Sequence, residues 1–353
     1  MSLSNLRKPH TRRRRRLALV GAVAATALVL TACTNSSDGG SSSSVSNKGG
    51  DNDKSGKKLR IGFSAPAADH GWMGAISKNA AAQAKNYGDV ELIKAEGTND
   101  VNLQISQVET FINDKVDAIV LLPFDGAAMT PVALKAMNAG IPVVNVDREF
   151  NSPFAARTTV LGDNYGMGVS AGTYVCGEAK GDKKKVVAEI AGIDSLPLTQ
   201  DRSKGFNDAL KKCGLKVNNR VAAEFTVESG EKAASNLLQA APKIDYLWNH
   251  DDDQGVGVMA AIKNANRDEF VMIGGAGSAN VMREIQDGTS VLKATVIYPS
   301  TQAADGIKLA RLIAQGKSMS DLAEVEVPRK VQLAAPVVTK ANVKDYIKSA
   351  FES

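Results

Sequence analysis

The chain is poor in histidine and cysteine, with three of each in 353 residues. It has no His-x-x-His pair and no Cys-rich spacing, so the donor sets of common zinc sites are missing and no metal or other cofactor is expected. It also lacks a helix-length membrane span in the one place that hints at it. The apolar run Leu17 to Leu30 holds roughly 14 residues, short of the ~20 needed to cross a bilayer. A dense basic stripe is absent as well, although the whole chain carries 43 basic and 38 acidic residues and a net charge of +5. Seven of those basic residues, Arg7, Lys8 and Arg12 to Arg16, precede Leu17, and the first 32 residues contain no acid. Without that segment the charge is −2, from 36 basic and 38 acidic residues. The basicity belongs to the extreme N-terminus, which argues against nucleic acid as a partner. No internal repeat is strong enough to prove duplication.

Basic segment, apolar run and small-residue end follow one another in the order of an export signal. The arginine run also admits twin-arginine export. Leu30-Thr31-Ala32-Cys33 resembles the bacterial lipobox, in which the cysteine is thioether-linked to lipid and becomes the new N-terminus. The resemblance implies a signal peptide over 1–32 and a lipid anchor at Cys33 on the outer face of the cell membrane. From Thr34 to Lys57 the chain is Ser, Gly, Asn, Asp and Lys with almost nothing apolar, so 33–57 is expected to be a flexible tether. Beyond it only Cys176 and Cys213 remain. In an oxidising compartment a disulfide between them and two separate buried thiols are both open.

From Leu59 onward, short β-branched runs alternate with longer amphipathic segments, the pattern of parallel βα units. Leu59 to Phe63, Val90 to Ile93, Ala118 to Leu122 and Ile141 to Val146 read as strands, with helices over 71–87, 101–114 and 127–139. A second series follows at Val186 to Ile190, Val217 to Phe225, Tyr246 to Trp248, Phe270 to Ile273 and Val291 to Ile297. The fold class is therefore α/β, in two lobes of similar plan. Ligands in open α/β sheets bind at the carboxyl ends of strands. Polar loops stand there: Ser64 with His70-Gly71-Trp72, Pro123-Phe124-Asp125, Asp147-Arg148, Asp251 to Asp253, and Gly274 to Ser278.

Together, Leu59 to Ser64, Asp114 to Ile119, Gly140 to Arg148, Gly162-Asp163-Asn164, Asp201 to Phe206, Glu224-Phe225 and the acidic loop at 250–253 resemble the ribose- and galactose-type periplasmic binding proteins of ABC importers. The likeness runs over about 58–340. It implies two flavodoxin-like lobes with parallel sheets, a three-crossing hinge near 162, 297 and 327, and capture of a solute by lobe closure. The expected N-terminal lobe is 58–162 plus 298–327, the C-terminal lobe 163–297 plus 328–340, and 341–353 a tail. The implied ligand set is Ser64, His70, Trp72, Met73, Phe124, Asp147 and Arg148 from one side, with Arg202, Phe225, Asp251, Ala276 and Tyr298 from the other. A carboxylate and a guanidinium can each engage adjacent hydroxyls, and an indole can cover the C–H face of a sugar ring. The implied partners are a sugar or polyol and the membrane subunits of an ABC permease, the binding protein itself being a monomer and not an enzyme. A sensory role, presenting occupancy to a chemoreceptor or kinase, is the alternative.

His70, Leu122, Asp251, Ala276 and Tyr298 depart from the amide and carboxylate readers of ribose binders, which predicts a ligand other than unmodified ribose. His70 and His250 both fall in expected cleft loops, where hydrogen bonding is a simpler role than metal ligation. Of the three acids, Asp251 is expected to face ligand, with Asp252 and Asp253 capping a helix or facing solvent. Gly168-Val169-Ser170-Ala171-Gly172 has the nucleophile spacing but lies inside an expected helix, so close helix packing explains it better. Gly274 to Gly277 lacks the third glycine of a dinucleotide fingerprint, and close backbone approach to a ligand suffices.

Overall fold

The structure is a computed structural model that describes residues 52–319 and 326–353. The signal, Cys33 and most of the tether lie outside the described residues. Strands β1 (Leu59–Ser64), β2 (Val90–Lys94), β3 (Ala118–Leu121), β4 (Val143–Val146), β5 (Thr158–Gly162) and β11 (Lys330–Leu333) form one sheet, ordered β2-β1-β3-β4-β5-β11. A second sheet is ordered β7-β6-β8-β9-β10-β12. Its strands are β6 (Val187–Ala191), β7 (Val217–Ala222), β8 (Tyr246–Asn249), β9 (Val271–Ala276), β10 (Leu292–Ile297) and β12 (Val337–Thr339). All pairings are parallel except that of β10 with β12. These are two α/β lobes of the same plan, as the alternation predicts.

Central strands read as near-continuous apolar runs because helices cover both faces. Every residue of β3 and β4 is buried. Helices α1 (Gly71–Lys85), α2 (Val101–Asn113) and α3 (Gly126–Asn138) follow strands of lobe one, and α4 (Asn164–Ala179), α5 (Pro197–Lys212), α6 (Val227–Ala240), α7 (Asp252–Asn264) and α8 (Ala279–Asp287) belong to lobe two. Helix α9 (Gln302–Ala314) returns to lobe one and packs on α1, β3, β4 and β5. Phe63, Ile61 and Ile76 fill one face of the first sheet, and Phe111, Ile119 and Met129 the other. Each such buried side chain contributes about 1.5–3 kcal/mol. Local chemistry starts the helices that frame the strand ends: Asp100 accepts from the Asn102 N–H at 2.8 Å, Asp125 from Ala128 at 2.8 Å and Asp163 from Gly166 at 2.7 Å.

The chain passes between lobes after β5, after β10 and between β11 and β12. The first two follow Gly162 and Ile297. The third lies at 334–336 and not near 327, because 330–333 pairs with β5 and extends the first sheet. The three passages are tied together, with the Asp163 N–H bonded to the Leu333 carbonyl at 3.0 Å and the Ile297 N–H to the Pro336 carbonyl at 2.9 Å.

Two further boundaries differ from expectation. Residues 52–57 are held against lobe one: Arg311, itself paired with Asp89 at 2.7–2.8 Å, donates to the carbonyls of Asn52 and Lys54, and the Gly56 N–H donates to Asp89. The end of the chain is no free tail, since α10 (Val343–Tyr346) and a 3-10 turn (Ile347–Ser349) pack on lobe two and Phe351 is buried beside Ser278. Cys176 on α4 and Cys213 at the end of α5 are joined by a disulfide, with Cα atoms 5.9 Å apart. Gly168 and Gly172 lie on the α4 face against α5, where a Cβ would meet Arg202 and Ala209, so the Gly-x-Ser-x-Gly spacing serves helix packing.

Candidate functional site

The carboxyl ends of both sheets face one cleft, and side chains from both lobes and from the passages meet in it. His70, Trp72, Met73, Asp147, Arg148, Leu198, Arg202, Phe225, Asp251 and Tyr298 line an inner cavity of about 30 Å³. It shares Asp147, Arg148 and Leu198 with an outer cavity of about 560 Å³, which Phe124, Asn164, Asp201 and Lys330 also line. The outer volume lies within the ~300–1,000 Å³ usual for small-molecule sites, and the inner one matches the ~30 Å³ share of one water.

Tyr298, at the second passage, is the centre of this arrangement. Its hydroxyl donates to Asp147 Oδ1 at 2.5 Å and accepts from Asn164 Nδ2 at 3.1 Å. Its ring lies 5.4 Å from that of Trp72 and under the Arg202 guanidinium, 4.6 Å from the centroid. A Cβ on Gly162, at the first passage, would overlap the same ring, so glycine there makes room for it. Burial, then the Asp147 charge, pushes the phenol well above the ordinary tyrosine range.

Each strand end supplies its group by a distinct device. Asp147 and Phe225 follow strands with φ of +65° and +43°, and Ala276 ends β9 at +89°. Such left-handed conformations are costly for non-glycine residues and concentrate where surrounding contacts fix a side chain for use. Arg148 donates through Nη1 to the Phe124 carbonyl at 2.7 Å, while its buried Nε has no hydrogen-bond partner among the described residues and stands 3.7 Å from Asp147 Oδ2. Arg202, 3% exposed, donates to Asn164 Oδ1 at 2.9 Å and to the His250 carbonyl at 3.1 Å. Trp72 Nε1 donates to the Tyr298 carbonyl at 3.1 Å.

The three consecutive acids do three different things. Asp251 caps α7 through Oδ1, at 2.9 and 3.1 Å from the N–H groups of Asp253 and Gln254, and lines the inner cavity. Burial, then the Asp253 charge, raises its pKa to about 7. Asp252 is buried and accepts from the backbone of Gly275, Gly277 and Ser278 at 2.7–2.8 Å, and burial raises its pKa to about 7 too. Asp253 accepts from the Trp72 N–H of the other lobe at 2.9 Å. Neither Asp252 nor Asp253 faces solvent.

Nine of the twelve sequence-predicted contacts line the inner cavity: His70, Trp72, Met73, Asp147, Arg148, Arg202, Phe225, Asp251 and Tyr298. Phe124 lines the outer one. Ser64 does not reach the cleft, because its hydroxyl turns inward to Gln104 and Gln107 at 3.2 and 2.9 Å. Ala276 lines a separate small pocket behind Tyr298. Leu122 is wholly buried in the lobe-one core. His250 lies behind the cleft: it is fully buried, its ring packs tilted against that of Trp248 with centroids 4.1 Å apart, and it binds Glu189 at 2.9 Å. The glycines at 274 and 275 approach Asp252 and the His250 backbone, not the cleft. Leu198, Asn164 and Gln104 carry roles that the sequence reading did not assign; Gln104 bridges Ser64, the Leu122 carbonyl and the Phe124 N–H. Asn164 opens α4 two residues after the end of β5, which was a usable signal, whereas Gln104 sits within α2 and gave none.

Comparison with known proteins converges on this architecture. The family model described as a periplasmic binding protein domain matches residues 61–318. The chain is 30% identical over 264 residues to the ribose import binding protein of Bacillus subtilis, covering 72% of this chain and 84% of that one. Among solved structures, it resembles an ABC transporter solute binding protein from Mycobacterium smegmatis with bound glycerol. The identity is 27% and the TM-score 0.73, over 84% of this chain and 99% of the other. It also resembles the fructose binding periplasmic domain of a hybrid two component system, at 27% identity and TM-score 0.72, over 82% and 93% of the two chains.

Proposed function

Because the chain belongs to the periplasmic binding protein family, whose members bind without catalysing, we propose that it is an exported solute-binding protein. In this reading it captures a monosaccharide or related polyol by lobe closure and delivers it to an ABC importer. The observation that carries the proposal is the convergence of Asp147, Arg148, Trp72, Arg202 and Tyr298 from both lobes and a passage onto one cavity. Ionised acceptors and donors hold sugar hydroxyls with charge-assisted bonds, roughly twice as strong as neutral ones. Arg148 Nε, which makes no hydrogen bond among the described residues, offers a donor for such a hydroxyl. Trp72 offers an apolar face for ring C–H groups. The inner cavity is too small for a sugar ring, so capture requires the lobes to part and then close around it, with the outer cavity as the way in.

The departure at Tyr298 favours a ligand other than unmodified ribose, since its hydroxyl is already spent on Asp147 and Asn164. Cys33 attaches the protein by lipid to the outer face of the membrane; Cys33→Ala would release it into the soluble fraction. A thermal-shift screen of the mature protein against pentoses, hexoses, deoxy sugars and polyols tests the function. Ligand at 100 times its Kd adds about 2.7 kcal/mol of stability. Asp147→Ala and Arg148→Ala abolish the shift, and no shift with any compound refutes the sugar reading. The likeness to the fructose binding periplasmic domain of a hybrid two component system supports a second reading, in which occupancy is passed to a signalling partner; loss of sugar uptake on gene deletion favours transport over it.

A further inference from the structure

Asp253 belongs to lobe two, in the first turn of α7, and is 3% exposed. Among the described residues, its carboxylate accepts one hydrogen bond, and that comes from the other lobe, from the Trp72 N–H in the first turn of α1. That turn has no acid of its own, and its N-cap residue, His70, makes no capping bond. The His70 ring is engaged instead with Asp69 at 2.6 Å. Helix starts carry N–H groups that need acceptors and a partial positive charge that favours a carboxylate. Lobe two therefore supplies the cap that lobe one lacks.

Gly71 gives a second, independent sign of the same contact. A Cβ there would overlap the Glu352 carbonyl oxygen and stand 2.6 Å from Asp253 Oδ1 and 2.8 Å from Ser353 Cα. Its φ is not in the left-handed region, so clearance and not backbone conformation calls for glycine. Glu352 and Ser353 are fixed to lobe two. Arg283 grips the Glu352 carboxylate through both Nη atoms at 3.0 and 2.6 Å, and the Ser353 N–H donates to Asn280 at 3.2 Å. The Ala279 N–H holds the Phe351 carbonyl at 2.6 Å.

We infer that Asp253 and the C-terminal Glu352–Ser353 form a latch that seats on Gly71 and Trp72 when the lobes come together. Asp253 is thereby a positioning residue: it fixes the start of α1 and, through it, the indole against Tyr298. The bond exists only when the lobes adjoin, so it favours the closed state by its full differential energy and slows escape of the captured solute. The inference rests on lobe closure as the capture step and not on the solute being a sugar.

The test uses the mature chain with spin labels at Leu103→Cys on α2 and Val227→Cys on α6, both exposed and one on each lobe. Distances between the labels, measured without added sugar, report the closed fraction. Gly71→Ala and Asp253→Ala each deplete the short-distance population, while Asp253→Asn, an equally good cap, retains it. Affinity for the monosaccharide giving the largest thermal shift falls roughly 2- to 30-fold in the two depleted variants, mainly through faster release. Gly71→Ala places a better helix former in α1, so a purely structural role would leave closure unchanged or improved. If Asp253→Ala does not fold, Gly71→Ala decides alone. Unchanged distance distributions, or a parent protein with no short-distance population, overturn the latch whether or not any sugar binds.

Discussion

Tyr298→Phe removes one oxygen from the centre of the cleft and leaves the ring in its seat beside Gly162. The lost hydroxyl donates to Asp147 at 2.5 Å and accepts from Asn164 at 3.1 Å, both in a buried setting. A hydrogen bond to a charged group contributes about 1.5–3 kcal/mol net, and the carboxylate left behind is 5% exposed with little water to replace the donor. At about 2–4 °C per kcal/mol, the melting temperature falls by roughly 3 to 12 °C. Sugar affinity moves the other way relative to stability, because Asp147 Oδ1 becomes free to accept a ligand hydroxyl. Differential scanning calorimetry with and without the best-binding sugar measures both, and the sugar-induced shift should be larger in the variant than in the parent. An unchanged melting temperature would show that the phenol does not hold Asp147 in solution, and the reasoning about the closed cleft would fail with it.

Other consequences follow from the same contacts. Replacing Cys176 and Cys213 by alanine removes a 37-residue cross-link and costs about 3–4 kcal/mol, read as a lower denaturant midpoint; intact mass of the exported protein shows no free thiols. Asp251 and Asp252 have folded-state pKa values of about 7, above the unfolded 3.8, so the folded protein binds more protons between these limits. Their contribution therefore lessens as pH rises from about 4 through 7, and Asp251→Asn flattens the fall in melting temperature between pH 5.5 and 8. An identical slope in variant and parent would contradict the burial of that carboxylate. Asp252→Ala strands three backbone N–H groups of the 275–278 turn and destabilises lobe two by about 3–5 kcal/mol, measured by urea unfolding.

Much of this was legible because the parallel βα plan writes itself into sequence as alternating apolar runs and capped helices, and because ligand groups follow strand ends. Asp147, Arg148 and Trp72 line the cavity for that reason, whereas Arg202, inside α5, was indicated by the family resemblance instead. Other features depend on direction, which spacing does not give. Successive residues at a helix start turn by about 100°, so Asp251, Asp252 and Asp253 point to the cavity, to the 275–278 turn and to the other lobe. Ser64 ends a strand like a ligand reader, but Gln104 and Gln107, some forty residues away, draw its hydroxyl inward. The third passage was misplaced because β11 is a four-residue edge strand whose alternating, half-exposed pattern carries little apolar signal. The docking of 52–57 and of the C-terminus rests on Arg311 and Arg283, and a single arginine announces no partner in a linear sequence.

The central claim is that a sugar or polyol is enclosed where both lobes meet, and a crystal structure with the best-binding compound from the screen tests it most directly. The account predicts the ring between Trp72 and Arg202, its hydroxyls bonded to Asp147 and to Arg148 Nε, with Asp253 still on the Trp72 N–H. A compound bound outside these residues, or held by one lobe alone, would contradict it.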